Sequence, residues 1–366
     1  MNPSESYEFS SFPVKQQMSR IFVFMRSALV HRQGTKFGII ALFLLPWNCS
    51  FSQDTILTKI EMVPDTLLQK NLMVGRFYDP IVRHPDKKRI IFVTGINVVG
   101  YGSSLIILNN TWYKNYPHTS FHTFNDSKEW LQVDKVGHGW TAYNTGRACG
   151  AMWQWAGLSQ KKSTLIGGLT GMAYLTAIEF LDAHSSKWGW SWSDISANIF
   201  GSGFLISQQL LWNEQRIQYK FSFHHKDYGE PTLNKRADEL FGKAWYERML
   251  KDYNAQTYWF SVNLKSFFSQ NNLPAWLNIS FGYGADGMFG GFENKWVDGD
   301  PGSPIDRTDI SRKRQFYLAP DIDFTKIQTS KKWLRTVLFC MNAFKCPSPA
   351  LMMDSKGKMK GFLFYF

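Results

Sequence analysis

The spacing of apolar and polar positions divides the chain into a helical part followed by a strand-rich part. Between residues 89 and 212, apolar runs contain polar residues three or four positions apart, which is the helical period. The pattern predicts an apolar segment over 89–108, either a membrane span or a packed helix partly embedded in the membrane, and further helices at 131–156, 163–182 and 194–212. Residues 89–212 are therefore predicted to form an apolar helical bundle.

After Trp212 the apolar residues alternate with polar ones, which is typical of strands. The Gly-x-Gly-x-x-Gly match that begins at Gly282 precedes no predicted helix, so it is interpreted as turns. The predicted strands are 216–224, 257–268, 276–284, 314–326, 335–344 and 358–366, with a polar helical stretch at 232–252. The expected fold class is α+β: a membrane-associated helical bundle followed by a mainly antiparallel β region over 213–366.

The amino-terminal part has the order of a secretory signal. A short apolar run at 37–47 follows Arg32 and Lys36, and it is too short to cross a bilayer comfortably. Residues 1–52 are therefore predicted to be a signal peptide with an extended leader, and 53–88 a polar lead-in. The expected location is outside the cytoplasm, in the periplasm or at the outer membrane.

The four cysteines bear on lipid attachment and on disulfide pairing. The residues before Cys49 do not match a lipobox, which argues against lipid attachment there. Export predicts an oxidising compartment, in which three remaining cysteines permit one internal disulfide. Cys340 and Cys346 are the expected pair, while Cys149 lies in a helical run and is expected to be a small buried side chain.

Composition favours a membrane surface as the partner. Aromatic residues make up 16% of the chain and charged residues 19%, and the formal net charge is +12. Trp and Tyr concentrate at membrane interfaces, and a positive excess attracts anionic lipid. A membrane lipid or cell-wall component is therefore the expected partner class. Nucleic acid is not expected, because no recognisable nucleic-acid module accompanies the charge.

Polar residues share one face on each of the three central helices. Burying them unpaired would cost several kcal/mol, so they are predicted to meet in one interior site. Lys135 is expected to neutralise one of the acids, and Ser193 is expected to cap the last helix. The residue pairs on these faces are Asp134 with His138, Glu179 with Asp182, and Asp194 with Asn198.

Taken together, the central motifs resemble those of a known group of envelope proteins. They read Asp134-Lys135-x-x-His138, Glu179-x-x-Asp182 and Ser191-x-Ser193-Asp194-x-x-x-Asn198. In this order they resemble the YfiM-like family of bacterial envelope proteins of unknown function and, more distantly, the VanZ-like membrane family. The resemblance covers about residues 125–212. It implies an apolar bundle with these residues at its centre, and it implies no reaction.

Three hypotheses for function stay open. The first is a non-catalytic envelope protein whose cluster holds the bundle together or binds a lipid or cell-wall headgroup. The second is an envelope hydrolase or transferase with His138 as general base and Asp134 orienting it. Lys135, Glu179, Asp182, Ser193, Asp194 and Asn198 are the candidate binding residues. Paired carboxylates also suit a divalent metal, although the sequence identifies no particular ion or cofactor. The third hypothesis is a small outer-membrane β-barrel.

Overall fold

The computed structural model describes residues 84–111, 113, 116–270, 272–298 and 302–366. The predicted signal peptide and most of the predicted polar lead-in lie outside these residues. The described part contains eight α-helices and an antiparallel six-stranded sheet, so the α+β prediction is confirmed.

Four long helices form the first part, close to the predicted bounds. They are α1 (Lys87–Thr111), α2 (Val133–Trp155), α3 (Gln160–Asp182) and α4 (Trp192–Trp212). Glycines let α2 approach its neighbours closely: a Cβ added at Gly167 of α3 would overlap the Gly146 carbonyl oxygen. Helices α2 and α4 begin at the end of the bundle where α3 finishes.

The second part is a sheet with four shorter helices around it. Its strands are β1 (Ile217–Phe223), β2 (Gln256–Asn263), β3 (Leu277–Asp286), β4 (Lys295–Asp298), β5 (Ser303–Asp306), β6 (Lys313–Ile322), β7 (Ser348–Asp354) and β8 (Met359–Tyr365). The helices are α5 (Pro231–Phe241), α6 (Trp245–Lys251), α7 (Leu264–Phe267) and α8 (Lys332–Met341). The main sheet has the order β1-β2-β3-β6-β7-β8, and β4 pairs with β5 in a separate hairpin.

The predicted strand at 335–344 is wrong, because most of this segment belongs to α8. Its apolar residues Trp333, Leu334, Val337, Leu338 and Met341 follow the helical spacing of three or four residues. Strand β7 was not predicted. Pro349 inside it is unusual in a strand, and with Pro347 directly before the strand it hides the alternation.

The turn prediction for the glycine-rich segment is wrong in part. Gly282 and Gly284 lie inside β3, and only Gly287, with φ near +77°, needs a backbone that favours glycine. A Cβ at Gly282 would lie 2.7 Å from the Trp259 ring, so glycine at this position makes room for the indole.

The main apolar core joins the two parts. Val133, Tyr143 and Leu205 from the helices pack with Tyr219 and Tyr258 from the strands. Hydrogen bonds also cross between the parts: the Tyr219 hydroxyl donates to the Val136 carbonyl at 2.7 Å. The β region therefore supports α2 directly.

The sheet curls strongly. The Trp259 and Tyr365 rings, on β2 and β8, have centroids 5.9 Å apart although three strands lie between them. In a flat sheet these strands would be about 19 Å apart. On its other edge, β1 bonds the segment before β7, with the Phe221 amide donating to the Ala343 carbonyl at 3.0 Å. The face that contains Trp259 is thus enclosed.

All three cysteines in the described part are free thiols, so the predicted Cys340–Cys346 disulfide is wrong. Cys340 belongs to α8, whereas the Cys346 amide is anchored to Asp321 Oδ1 at 3.0 Å, at the sheet. Cys149 is buried in α2, as predicted.

Two helices in the described part are long and apolar enough to cross a membrane: Lys87–Asn110 and Gln160–Asp182. In the most apolar 18-residue stretch of the first helix only 11% of the residues are buried, and in that of the second helix 33% are buried. A core helix of a soluble protein passes the same test of length and composition, so membrane association stays a prediction.

Candidate functional site

The polar cluster lies at one end of the helical bundle. Asp134 and His138 are in the first turns of α2, Asp194 and Asn198 are in the first turns of α4, and Glu179 is near the end of α3. Carboxylates in a first turn face the positive end of a helix dipole, which favours Asp134 and Asp194 at these positions. These five residues, predicted as candidates, lie together in the structure.

Lys135 is the central cation of the cluster. Its ammonium hydrogen-bonds Asp126 and lies 3.0 Å from Asp134 Oδ2 and 2.8 Å from Asp194 Oδ1. Burial raises the pKa of Asp126, but hydrogen bonds from Lys135 and from two serines outweigh it and lower that pKa to about 2. Lys135 thus forms ion pairs with three acids, whereas the sequence suggested that it neutralises one.

Ser191, not Ser193, caps α4. The Asp194 amide donates to Ser191 Oγ at 3.0 Å, which is the hydrogen bond expected of an N-cap. The hydroxyls of Ser191 and Ser193 both donate to Asp126 Oδ1 at 2.6 Å. Ser193 therefore contacts the cluster as predicted, but through an acid that the sequence interpretation did not select.

The His138 ring has polar partners on both nitrogens. Nδ1 lies 3.2 Å from Asn198 Oδ1 and 3.8 Å from Glu179 Oε1. On the other side, Nε2 lies 3.8 Å from Asp194 Oδ1 and 4.0 Å from Asp134 Oδ1. One ligand atom from each of Asp134, His138 and Asp194 lies within 4.8 Å of the other two.

The charges around His138 favour its protonated form. Burial lowers the pKa of the imidazole, but Asp194, Asp134 and Glu179 together outweigh burial and raise it to about 9. A general base needs a free nitrogen at neutral pH, and this environment favours the imidazolium instead. The general-base role of His138 stays a prediction, and it requires something to remove that proton.

Three buried polar atoms in the cluster have no hydrogen-bond partner among the described residues. They are Glu179 Oε1, Asn198 Nδ2 and Asp194 Oδ1, the last of which lies in an ion pair with Lys135. The Glu179 side chain is only 2% exposed, and burial raises its pKa to about 8. Unpaired buried polar atoms are rare in folded proteins, so these atoms are candidates for binding a further polar ligand.

Asp182 lies at the edge of the cluster rather than at its centre. It accepts a hydrogen bond from the Tyr113 hydroxyl at 2.6 Å, and burial raises its pKa to about 7. The structure places no hydrogen bond or ion pair between Asp182 and His138 among the described contacts. Asp182 is therefore a neighbour of the site and not one of the groups around the imidazole.

Three cluster residues were missed from the sequence. Asp126 lies in a loop without periodicity, and Glu129, whose pKa burial raises to about 7, lies in the turn before α2. Tyr253 donates to Asp134 Oδ1 at 2.8 Å across 119 residues of sequence. No local pattern could have placed Tyr253 here, because its contact depends on how the β region packs on α2.

The entry into α2 has an unusual backbone. Trp130, Leu131 and Gln132 all have left-handed φ angles of 48°, 49° and 65°. This conformation costs about 1–2 kcal/mol for each non-glycine residue. The β region holds it in place, since the Trp130 amide donates to the Gly291 carbonyl and Arg314 donates to the Gln132 side chain at 2.7 Å. The turn sets the direction in which Asp134 and Lys135 point.

The cluster is open on one side. The side chains of His138 and Asp134 are 19% and 20% exposed, whereas Asp194 is only 6% exposed. His138 and Asp134 are therefore the more accessible members of this candidate ligand set.

One comparison with known proteins covers the central helical part of the chain. Residues 123–209 match the model of a family described as a predicted periplasmic lipoprotein (DUF2279). The chain is an exported, envelope-associated protein. The matched segment contains the cluster from Asp126 to Asn198, but not Tyr253 or Cys49. That description names no reaction, ligand or partner. No curated protein and no solved structure matches the chain.

Proposed function

We propose that this envelope protein binds one divalent transition-metal ion through Asp134, His138 and Asp194. The observation that supports it is that the two ring nitrogens of His138 face different groups. Its Nδ1 side faces Asn198 and Glu179, and its Nε2 side faces two carboxylate oxygens. A histidine that binds metal through one nitrogen commonly donates from the other to a carboxylate or carbonyl, which fixes the ring.

The distances fit such an ion after a small adjustment. Two ligands about 2.1 Å from a tetrahedral ion lie about 3.4 Å apart. Nε2 of His138 lies 3.8 Å from Asp194 Oδ1 and 4.0 Å from Asp134 Oδ1, so each carboxylate needs to approach the imidazole by a few tenths of an ångström. The ligand atoms of the three residues lie within 4.8 Å of one another, so the two carboxylates also need to come closer together. One imidazole with two carboxylates suits Zn²⁺ or Mn²⁺ better than Ca²⁺, which prefers oxygen ligands alone.

The ion would also change what the site can bind. Without it, the excess of carboxylates repels a phosphate or carboxylate group. A divalent ion held by three protein ligands would keep an open position on the exposed side of His138. It would then attract the anionic headgroup of a membrane lipid or cell-wall component, the partner class that the aromatic content and the basic charge suggest.

Metal titration of the full chain tests this proposal. After chelation and dialysis, isothermal titration with Zn²⁺ or Mn²⁺ should show one site, and elemental analysis should recover one ion per chain. His138→Ala should lose that site. Asn198→Ala should weaken it by about 10–100-fold, because Asn198 Oδ1, 3.2 Å from Nδ1, is the hydrogen-bond partner that fixes the ring from behind.

His225→Ala is the matched control, because His225 is an exposed imidazole outside the cluster. It should bind the ion as the parent does. If His138→Ala fails to fold, Asp134→Asn provides the same test with an isosteric side chain. Absence of stoichiometric binding, or equal binding by the parent and both site variants, would leave the cluster with a purely structural role.

A further inference from the structure

The sheet exposes an apolar surface, here called the outer face, on its β3-β6-β7-β8 side. Phe281, Leu318 and Leu351 are direct neighbours across β3, β6 and β7, and all three are exposed. Phe316, Met353 and Met359 form the next row across β6, β7 and β8, and they are exposed as well. These rows make one contiguous apolar patch rather than scattered surface residues.

The opposite face of the same sheet is buried and contains many polar residues. Lys220, Ser261 and Asn278 are fully buried there, and Ser261 donates to Asp321 Oδ2 at 2.6 Å. A sheet in a water-soluble protein normally places its apolar face inwards and its polar face in water. Beside its polar residues the enclosed face also contains Trp259, Tyr317 and Met352, so this part of the sheet has apolar residues on both faces. An exposed apolar face is typical of strands that face lipid.

Among the described residues, the helices cover the other end of this apolar face. Tyr219 on β1 and Tyr258 on β2 lie on the same side as Phe281, and they pack into the core shared with the helices. The patch on β3, β6, β7 and β8 continues that surface past the edge of the bundle. The sequence therefore provides one apolar face, of which the helices cover one half.

Basic residues line one end of the outer face. The start of β6 contains Lys313 and Arg314, and the turn between β7 and β8 contains Lys356 and Lys358. Asp354, the last residue of β7, is the acid beside this turn, and its carboxylate lies 3.7 Å from the Lys313 ammonium. Clustered lysines and arginines at the border of an apolar surface attract anionic lipid headgroups.

The height of the patch fits one leaflet. From Ile279 to Tyr283 the strand advances about 13 Å, at roughly 3.3 Å per residue. The apolar part of one leaflet is about 15 Å thick, half of a bilayer core of about 30 Å. The outer face is thus too short to cross a membrane and has the right depth to enter one leaflet.

We propose that the outer face inserts into one leaflet of an anionic bilayer, with the Lys356–Lys358 turn at the headgroups. The partner is the lipid surface itself. This surface is formed by the β region and is independent of the metal proposed for the helical cluster. The chain would then contact the membrane through its sheet as well as through any apolar helix.

Fluorescence quenching by labelled lipids tests the insertion. A single cysteine replaces Leu318 or Leu351 in a Cys49→Ser, Cys340→Ser, Cys346→Ser background of the full chain, in which the remaining Cys149 is buried. An environment-sensitive fluorophore is attached to that cysteine. The labelled protein is then reconstituted in phosphatidylethanolamine–phosphatidylglycerol vesicles. Lipids with a nitroxide on the acyl chain should quench both positions.

Lys243 provides the matched control, because it is exposed in the segment between α5 and α6, away from the outer face. A fluorophore there should keep its intensity in the same vesicles, even if an apolar helix anchors the chain. Equal intensities with and without nitroxide at positions 318 and 351 would overturn the proposal. So would energy transfer between labelled copies without quenching, because a second copy would then cover the face.

Discussion

Replacing Asp321 by alanine should lower the free energy of unfolding by about 3–5 kcal/mol, the range for breaking a buried ion pair from one side. Lys220 Nζ lies 2.8 Å from Asp321 Oδ2, and both side chains are fully buried. Burial raises the pKa of Asp321, but Lys220 outweighs it and lowers that pKa. Without the carboxylate, the buried ammonium keeps only neutral partners such as the Ile322 carbonyl. Denaturant unfolding of the variant measures the loss.

Asp309→Ala is the control for this change. Asp309 also forms an ion pair, 3.0 Å from Arg307, but its side chain is 64% exposed. Exposed pairs contribute about 1 kcal/mol or less, so this variant should unfold close to the parent. Equal losses in the two variants would contradict the assignment of a buried charge to Lys220. Replacing both Lys220 and Asp321 with apolar residues should recover part of the stability.

Gly201→Ala should destabilise the chain by about 3 kcal/mol, at the upper end of the usual cost of overpacking. A Cβ at Gly201 in α4 would overlap the Gly139 carbonyl oxygen in α2 and lie 3.0 Å from the Ala142 Cβ. The first of these is backbone, so only a separation of the two helices can relieve the overlap. Thermal and denaturant unfolding should both report the loss.

Gly203→Ala in the same helix separates packing from helix propensity. A Cβ at Gly203 would meet nothing within 4 Å. Alanine is favoured over glycine inside a helix by about 0.5–1 kcal/mol, so this variant should be as stable as the parent or slightly more stable. If Gly201→Ala behaved in the same way, α2 and α4 would not be as close as the structure places them.

The helical half of the chain was predictable because its signals are local. The period of three or four residues gave the central helices within a few residues, and the same period put Asp134 with His138 and Asp194 with Asn198 on shared faces. Because burying polar side chains without partners costs free energy, these polar faces were expected to meet. The identity of Ser191 as the cap was missed, since Ser191 and Ser193 both suit the position and only geometry selects between them.

The sheet was harder to predict because short apolar segments fit both a strand and a helix. Apolar residues in 335–344 match a strand by composition, but their spacing is helical, and the prolines of β7 masked a real strand. The contribution of Tyr253 to the site depends on a contact between distant segments. Such contacts follow from how the sheet packs on α2, which no local window of sequence contains.

The shared core also dictates an order of events during secretion. Helix α2 leaves the export machinery well before β2, and Asp134 has to wait for Tyr253, 119 residues further along the chain. Until then Trp140 of α2 lacks one or both of its β-region partners, Phe221 and Tyr258, and the left-handed turn before α2 has no support. The cluster is thus completed only after most of the polypeptide has crossed, so a stalled or shortened product would reach the envelope with its site unformed.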